Sequence, residues 1–157
     1  MKYKEFRKIT KEEAKNVILQ YLERDGFIEE IATEIVPNEQ GQLDKIELIH
    51  TPEYCKEFVK IEKDGNNFGS VYTDDLVEKV AKETIKQNID TVSEWVTSKY
   101  GVLRISTSFK ENIGFYYIAE NGALKRYEAN TAKATLLRDC EDSAGYGFVI
   151  MSLTATP

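Results

Sequence analysis

Tyr146-Gly-Phe-Val-Ile-Met-Ser-Leu-Thr-Ala-Thr-Pro157 closes the sequence and reads as a strand that gathers three hydroxyls on one face. Side chains alternate along a strand with period two. Phe148, Ile150, Ser152, Thr154 and Thr156 are therefore expected on one side, and Val149, Met151, Leu153 and Ala155 on the other. The second side is wholly apolar and is expected to pack inward. The first side changes from apolar to hydroxylic; a buried hydroxyl there needs a partner, whereas a hydroxyl in a cleft can serve a ligand. An edge strand whose Ser and Thr meet water produces the same pattern.

Four β-rich runs precede this strand: Val102 to Thr107, Ile113 to Ala119, Leu124 to Glu128 and Lys133 to Arg138. Asn121-Gly122 marks a tight hairpin, and Asp142-Ser-Ala-Gly145 a longer loop. Before the strands, Thr73-Asp74-Asp75 has the residues of a helix start, with acids near the positive end of the dipole. One apolar stripe follows (Leu76, Val77, Val80, Ala81, Thr84, Ile85), then a bend around Asn88 to Asp90 and a second stripe (Ile89, Val92, Trp95, Val96). Gly101 is expected to end this helical pair.

Further upstream, Thr10 and Glu13 form a Thr-x-x-Glu capping box. Ala14, Val17, Ile18, Tyr21 and Leu22 then recur at helical spacing until Gly26. Residues 30–36 and 43–49 are expected as two strands around Pro37-Asn-Glu-Gln-Gly-Gln42, although Phe27, Ile28, Ile31 and Ile35 also permit a helix. Thr51-Pro52 starts like a helix, yet residues 58–62 could instead pair with 68–72 across Asp64-Gly65. The order implies an α+β fold in one domain, 1–157: a helix and a mixed segment over 1–68, then a helical pair followed by a mostly antiparallel sheet over 69–157.

With 157 residues, 41% hydrophobic and 31% charged, the composition is that of an ordinary globular domain, and no apolar run is long enough to cross a bilayer. Met1 to Lys8 is charged with no apolar region behind it, so no secretory signal is visible. The expectation is a cytosolic protein or a piece of a larger exported one. Cys55 and Cys140 have no metal-ligand spacing and fit two free thiols, with a single disulfide as the alternative. Net charge is −6, distributed as +4 over residues 1–11, −11 over 12–94 and +1 over 95–157. The acidity sits in the middle, leaving the first arm and the final third able to meet phosphate.

No glycine-rich phosphate loop, Cys-x-x-Cys pair, His-Glu-x-x-His helix or Gly-x-Ser-x-Gly elbow occurs, so no metal or cofactor is expected. His50 is the one histidine: a general base near neutral pH, or a structural imidazole. Arg104 and Lys110 flank Ser106-Thr107-Ser108, a cluster able to hold phosphate or to form a solvated turn.

The succession Gly69-Ser-Val-Tyr-Thr-Asp-Asp75, then Ile85-Lys-Gln-Asn-Ile-Asp-Thr-Val-Ser-Glu-Trp-Val96, then Ala134-Thr-Leu-Leu-Arg-Asp139 and the closing Tyr-Gly-Phe-x-Ile strand resembles a known family. It is similar to the pancreatic-ribonuclease-like toxin domain at the carboxyl end of bacterial contact-dependent growth inhibition proteins, over about residues 69–157. Asn88, Val92 and Trp95 fit that family's middle segment, and Thr154-Ala-Thr-Pro157 its end, with Thr156 where the family has Tyr. The family's Lys-His-Val-Gly box is not present around His50.

The resemblance implies a ribonuclease-like fold and metal-independent RNA cleavage by attack of a ribose 2′-hydroxyl on the adjacent phosphate, without a cofactor. It implies His50 as base, Lys60 or Lys63 as the phosphate-side cation, and Thr154 with Thr156 as donors to the phosphorane. Lys63, Arg104 and Ser152 would bind substrate, and Ser152 takes the place of the family threonine if the strand shifts by two. The implied partners are RNA, with tRNA as one target, and a cognate immunity protein. A monomer apart from that partner is expected, with no membrane. The implied location is the cytoplasm of the producing or target bacterium, the chain being the tail of a larger exported protein. Net negative charge and a single histidine favour a second reading, a non-catalytic acidic immunity or inhibitor protein on the same scaffold. An unrelated α+β binding module stands third.

Overall fold

The computed structural model describes residues 1–32, 35–37, 43–45, 47–141 and 145–157. A short helix, α1 (Tyr3–Phe6), buries Phe6 and leads to α2 (Lys11–Leu22). Thr10 starts α2 as its sequence requires: its Oγ1 accepts the Glu13 N–H at 3.2 Å, and the Glu13 carboxylate accepts the Thr10 N–H at 3.2 Å. Gly26, at φ +76°, turns the chain directly into α3 (Phe27–Ala32).

That helix corrects the expected strand over 30–36. Phe27, Ile28 and Ile31 bury one helical face, which outweighs the period-two pattern, so β1 spans only Ile35–Pro37. It pairs antiparallel with β2 (Leu43–Lys45), shorter than the expected 43–49; the turn residues 38–42 lie outside the described residues.

Helix α4 (Pro52–Glu57) takes the helical option at Thr51, whose Oγ1 accepts the Tyr54 N–H at 3.1 Å. Residues 58–62 form no strand, and β3 (Asn67–Val71) pairs elsewhere. Helices α5 (Asp74–Gln87) and α6 (Ile89–Val96) meet at Asn88. The Asn88 side-chain amide donates to the Thr84 carbonyl at 2.8 Å and to the Ser106 carbonyl at 2.9 Å, which ties the bend to the following strand.

The remaining strands are β4 (Val102–Ser108), β5 (Gly114–Glu120), β6 (Ala123–Ala129), β7 (Thr131–Arg138) and β8 (Phe148–Thr156). Asn121 and Gly122, at φ +52° and +75°, make the β5–β6 hairpin that their sequence predicts. Part of the second expected loop, residues 142–144, lies outside the described residues. Instead of one C-terminal sheet, the strands form two antiparallel three-stranded sheets, β3-β5-β6 and β4-β7-β8, in an α+β fold.

The edges β3 and β8 meet where Gly69 and Gly114 remove side chains. A Cβ at Gly69 would lie 2.7 Å from the Tyr116 Cβ and against the Phe115 and Ala155 carbonyls; one at Gly114 would lie 2.7 Å from the Ala155 Cβ. Glycine is therefore required by close backbone approach.

The main core joins α2, α3, α5 and α6 to the β4-β7-β8 sheet through Ile18, Phe27, Ile85, Val92, Leu136, Phe148, Ile150 and Leu153. A smaller core of Cys55, Val59, Phe115, Tyr117 and Ala119 holds α4 on β5. Arg138, at the end of β7, donates to the carbonyls of Trp95 (2.9 Å), Val96 (3.1 Å), Ser98 (2.6 Å) and Tyr100 (2.9 Å), satisfying the C-terminal end of α6. Among the described residues, no helix is long and apolar enough to cross a membrane.

Candidate functional site

Strand register decides which side chains share a surface. Across β4, β7 and β8, Arg104 lies opposite Thr135 and Thr135 opposite Ser152; Ser106, Lys133 and Thr154 form the next row, and Ser108, Thr131 and Thr156 the third. The intervening rows are mostly apolar: Ile105, Ala134 and Leu153 are buried, as are Ala132 and Ala155, with Thr107 half-buried opposite Ala132. One face of the sheet thus closes the core. The other is a three-by-three grid of seven hydroxyls and two cations, and it contains no carboxylate.

The grid exists because β8 changes phase partway along. Leu136 pairs with Ile150 and Thr135 with Ser152, so Met151 is an extra residue, a bulge, and is 40% exposed. Before the bulge Phe148 and Ile150 enter the core; after it Leu153 and Ala155 do. This corrects the uninterrupted alternation expected from sequence. Ser152, Thr154 and Thr156 do share a face, but Phe148 and Ile150 belong with Leu153 and Ala155.

Where this face meets β3, it becomes one wall of an open groove of about 240 Å³. Arg104, Lys133, Thr135, Ser152, Thr154 and Thr156 line it from the sheet, with Ala155 between them, and Asn67, Phe68 and Gly69 line it from β3. Among the described residues neither Arg104 nor Lys133 has an ion-pair partner, and the Ser152, Thr154 and Thr156 hydroxyls have no protein hydrogen-bond partner. In a chain of net charge −6 the groove is a local reversal of sign, suited to an anion with several acceptor oxygens. A larger cavity of about 800 Å³ between α3, α5 and residues 47–49 has the opposite character, with Glu29, Glu47, Asp74, Asp75 and Glu78 in its lining.

His50 stands beside the groove. Its backbone N–H donates to the buried Ser70 Oγ at 3.0 Å, and that hydroxyl donates to the Val71 carbonyl at 2.9 Å, which fixes His50 to β3. The imidazole stacks on Tyr54 at 4.4 Å and 10° and lies 5.6 Å from the Phe68 ring. Phe68 is also a residue of the groove wall, so His50 packs against a residue that lines it. Burial pushes the His50 pKa below its ordinary 6.5, with Glu47 opposing, and favours the neutral imidazole a general base requires.

Lys60 and Lys63 lie exposed in the connection from α4 to β3, where the Lys60 N–H donates to the Asn66 side-chain oxygen at 2.7 Å. Neither lines the groove, whereas Arg104, Ser152, Thr154 and Thr156 do. Lys110 is exposed beyond the end of β4 and is also outside the lining. Sequence reasoning missed Lys133, Thr135, Asn67 and Phe68. The alternation Thr131-Ala-Lys-Ala-Thr135 was a usable signal for the first two, since its small residues face the core. Both thiols are free, Cys55 buried and Cys140 exposed. Among the described residues, no group of three or more His, Cys, Asp or Glu side chains is arranged to hold a metal ion.

No protein-family model matches the sequence, and no curated protein matches it. Among solved structures, a chain of the CdiA-CT/CdiI complex from Y. kristensenii 33638 superposes with a TM-score of 0.55 at 18% identity, covering 70% of this chain and 95% of that one. The two chains share a fold.

Proposed function

We propose that the protein is a ribonuclease-like toxin domain that cleaves RNA in the groove between its two sheets and is neutralised by an immunity protein. The observation that carries this reading is the carboxylate-free groove: two cations without an ion-pair partner among the described residues and a row of hydroxyls, with His50, whose pKa burial lowers, packed on Phe68 of its wall. The shared fold with a chain of a CdiA-CT/CdiI complex supports it.

The chemistry follows from the groups. His50 takes the proton of a ribose 2′-hydroxyl, whose oxygen forms a bond to the adjacent phosphorus. The bond from phosphorus to the 5′-oxygen breaks, that oxygen leaves with a proton from water, and a 2′,3′-cyclic phosphate remains. Thr154 and Thr156 donate to the phosphorane oxygens as charge develops, with Lys133 as the cation beside them and Lys60, outside the groove lining, facing a flanking phosphate. Arg104 and Ser152 hold a flanking phosphate in the groove, and Lys63 meets the strand outside it.

The test is cleavage of tRNA and total RNA in chelator. Products ending in a 2′,3′-cyclic phosphate are expected, with His50→Ala slower by about 10²–10⁴, the usual contribution of a general base. Equal rates for the native chain and His50→Ala would refute the assignment. A second reading, a non-catalytic immunity or inhibitor protein, is favoured by the net charge of −6. It predicts no cleavage by either chain and tight binding to another protein.

A further inference from the structure

Four rings gather at the end of the groove formed by β3. His50 stacks on Tyr54, Tyr54 lies 4.7 Å from Phe58, and Phe58 lies 5.0 Å from Phe68 at an interplanar angle of 26°. The innermost pair is anchored: Phe68 packs against the small core, and His50 is tied to Ser70. The outer pair is not covered, with Tyr54 40% and Phe58 52% exposed. Aromatic faces left in water at a fixed position lack the burial that would offset the ordering of their side chains. Phe68 is also a residue of the groove's β3 wall, so the rings lie beside the groove.

We propose that the His50, Tyr54, Phe58 and Phe68 rings form a platform on which an unpaired base of single-stranded RNA stacks while its phosphates occupy the adjoining groove. The inference rests on the ribonuclease reading of the groove and adds to it the part of the substrate that is not phosphate. The occupant must carry flat π-faces and regularly spaced negative charge together. A single-stranded nucleic acid does so, and stacking accepts any base because each has a π-face. Glu53 and Glu57 outnumber Lys56 on the helix that carries Tyr54, so this surface is less basic than the groove and offers rings rather than cations.

The experiment is anisotropy of a labelled 2′-O-methyl hexauridine, which lacks the attacking hydroxyl and cannot be cleaved. The full chain, Tyr54→Ala, Phe58→Ala, Phe58→Trp and Arg104→Ala are compared, and each variant is checked for native circular dichroism. Phe58→Ala and Tyr54→Ala are expected to weaken binding roughly tenfold each, the effect of losing one stacked base. Phe58→Trp should retain it, and an abasic oligomer should bind weakly and respond to neither alanine variant. Unchanged hexauridine binding in both alanine variants would overturn the platform; if Arg104→Ala still weakened binding, the groove reading would stand without it. The same unchanged binding, with lost affinity for a protein partner, would assign the rings to a protein interface. No binding by the native chain would remove the groove reading as well.

Discussion

Gly69→Ala probes the seam that creates the groove. The added methyl would fall 2.7 Å from the Tyr116 Cβ and against the backbone carbonyls of Phe115 and Ala155, none of which can rotate away. Restoring ordinary contact at Tyr116 alone requires a retreat of about 0.7 Å in a close-packed interior. Overpacking of this kind costs about 1–3 kcal/mol. At roughly 2.1 cal/mol/K per residue, this chain has an unfolding entropy of about 0.33 kcal/mol/K, so the midpoint should fall by about 3–9 °C. Thermal circular dichroism measures it. Gly101→Ala is the control, because a Cβ there meets nothing within 4 Å and the backbone is not left-handed; its midpoint should be unchanged or slightly raised. A Gly69→Ala midpoint within 1 °C of the native chain, about 0.3 kcal/mol by the same entropy, would show that the two edges do not touch as described.

If the groove binds RNA, Arg104→Ala and Lys133→Ala should each lower the slope of log K against log salt by about 0.7, the single-strand value for one lost phosphate contact; an unchanged slope in anisotropy titrations would remove that cation from the path. His50 should give the one histidine imidazole resonance, with an NMR midpoint below 6.5. Its folded pKa is depressed, so its stabilising contribution is present above about 6.5 and is lost as pH falls through the lower folded value; a midpoint at or above 6.5 contradicts the burial. A thiol reagent should modify Cys140 at once and Cys55 only on unfolding, because burial raises the Cys55 pKa to about 11 despite Arg126 nearby. Deleting Met151 should leave the fold intact, since the remaining residues alternate correctly against β7; a collapse in the melting curve would mean that the bulge itself is required.

The end of the chain was legible to the extent that period two holds. Ser152, Thr154 and Thr156 were assigned to one face correctly because no irregularity falls among them. The phase before them was not, because Phe148-Val-Ile-Met151 is apolar throughout and nothing in it marks which residue is extra. The register of β7 on β8 was within reach, since a hairpin centred on the expected loop at 142–145 places Lys133 beside Thr154. The division into two sheets was not, because the closeness of Gly69 and Gly114 to Ala155 is a tertiary fact with no local pattern. Helix α3 was the reverse case: both periods were present in residues 27–35, and burial of Phe27, Ile28 and Ile31 in the main core chose between them. His50 was singled out by its rarity and by the resemblance; its neighbours Tyr54 and Phe68 came from segments whose pairing the sequence left open.

The small core under α4 has an evolutionary consequence. Cys55, Val59, Phe115, Tyr117 and Ala119 hold that helix, and none of them belongs to the cluster that closes the rest of the molecule. The outward residues of α4 can therefore diverge at little expense to global stability, while the hydroxyl-and-cation grid stays tied to strands whose opposite faces are fixed. A lineage under pressure to escape recognition or to change its target could rewrite the helix and keep the chemistry.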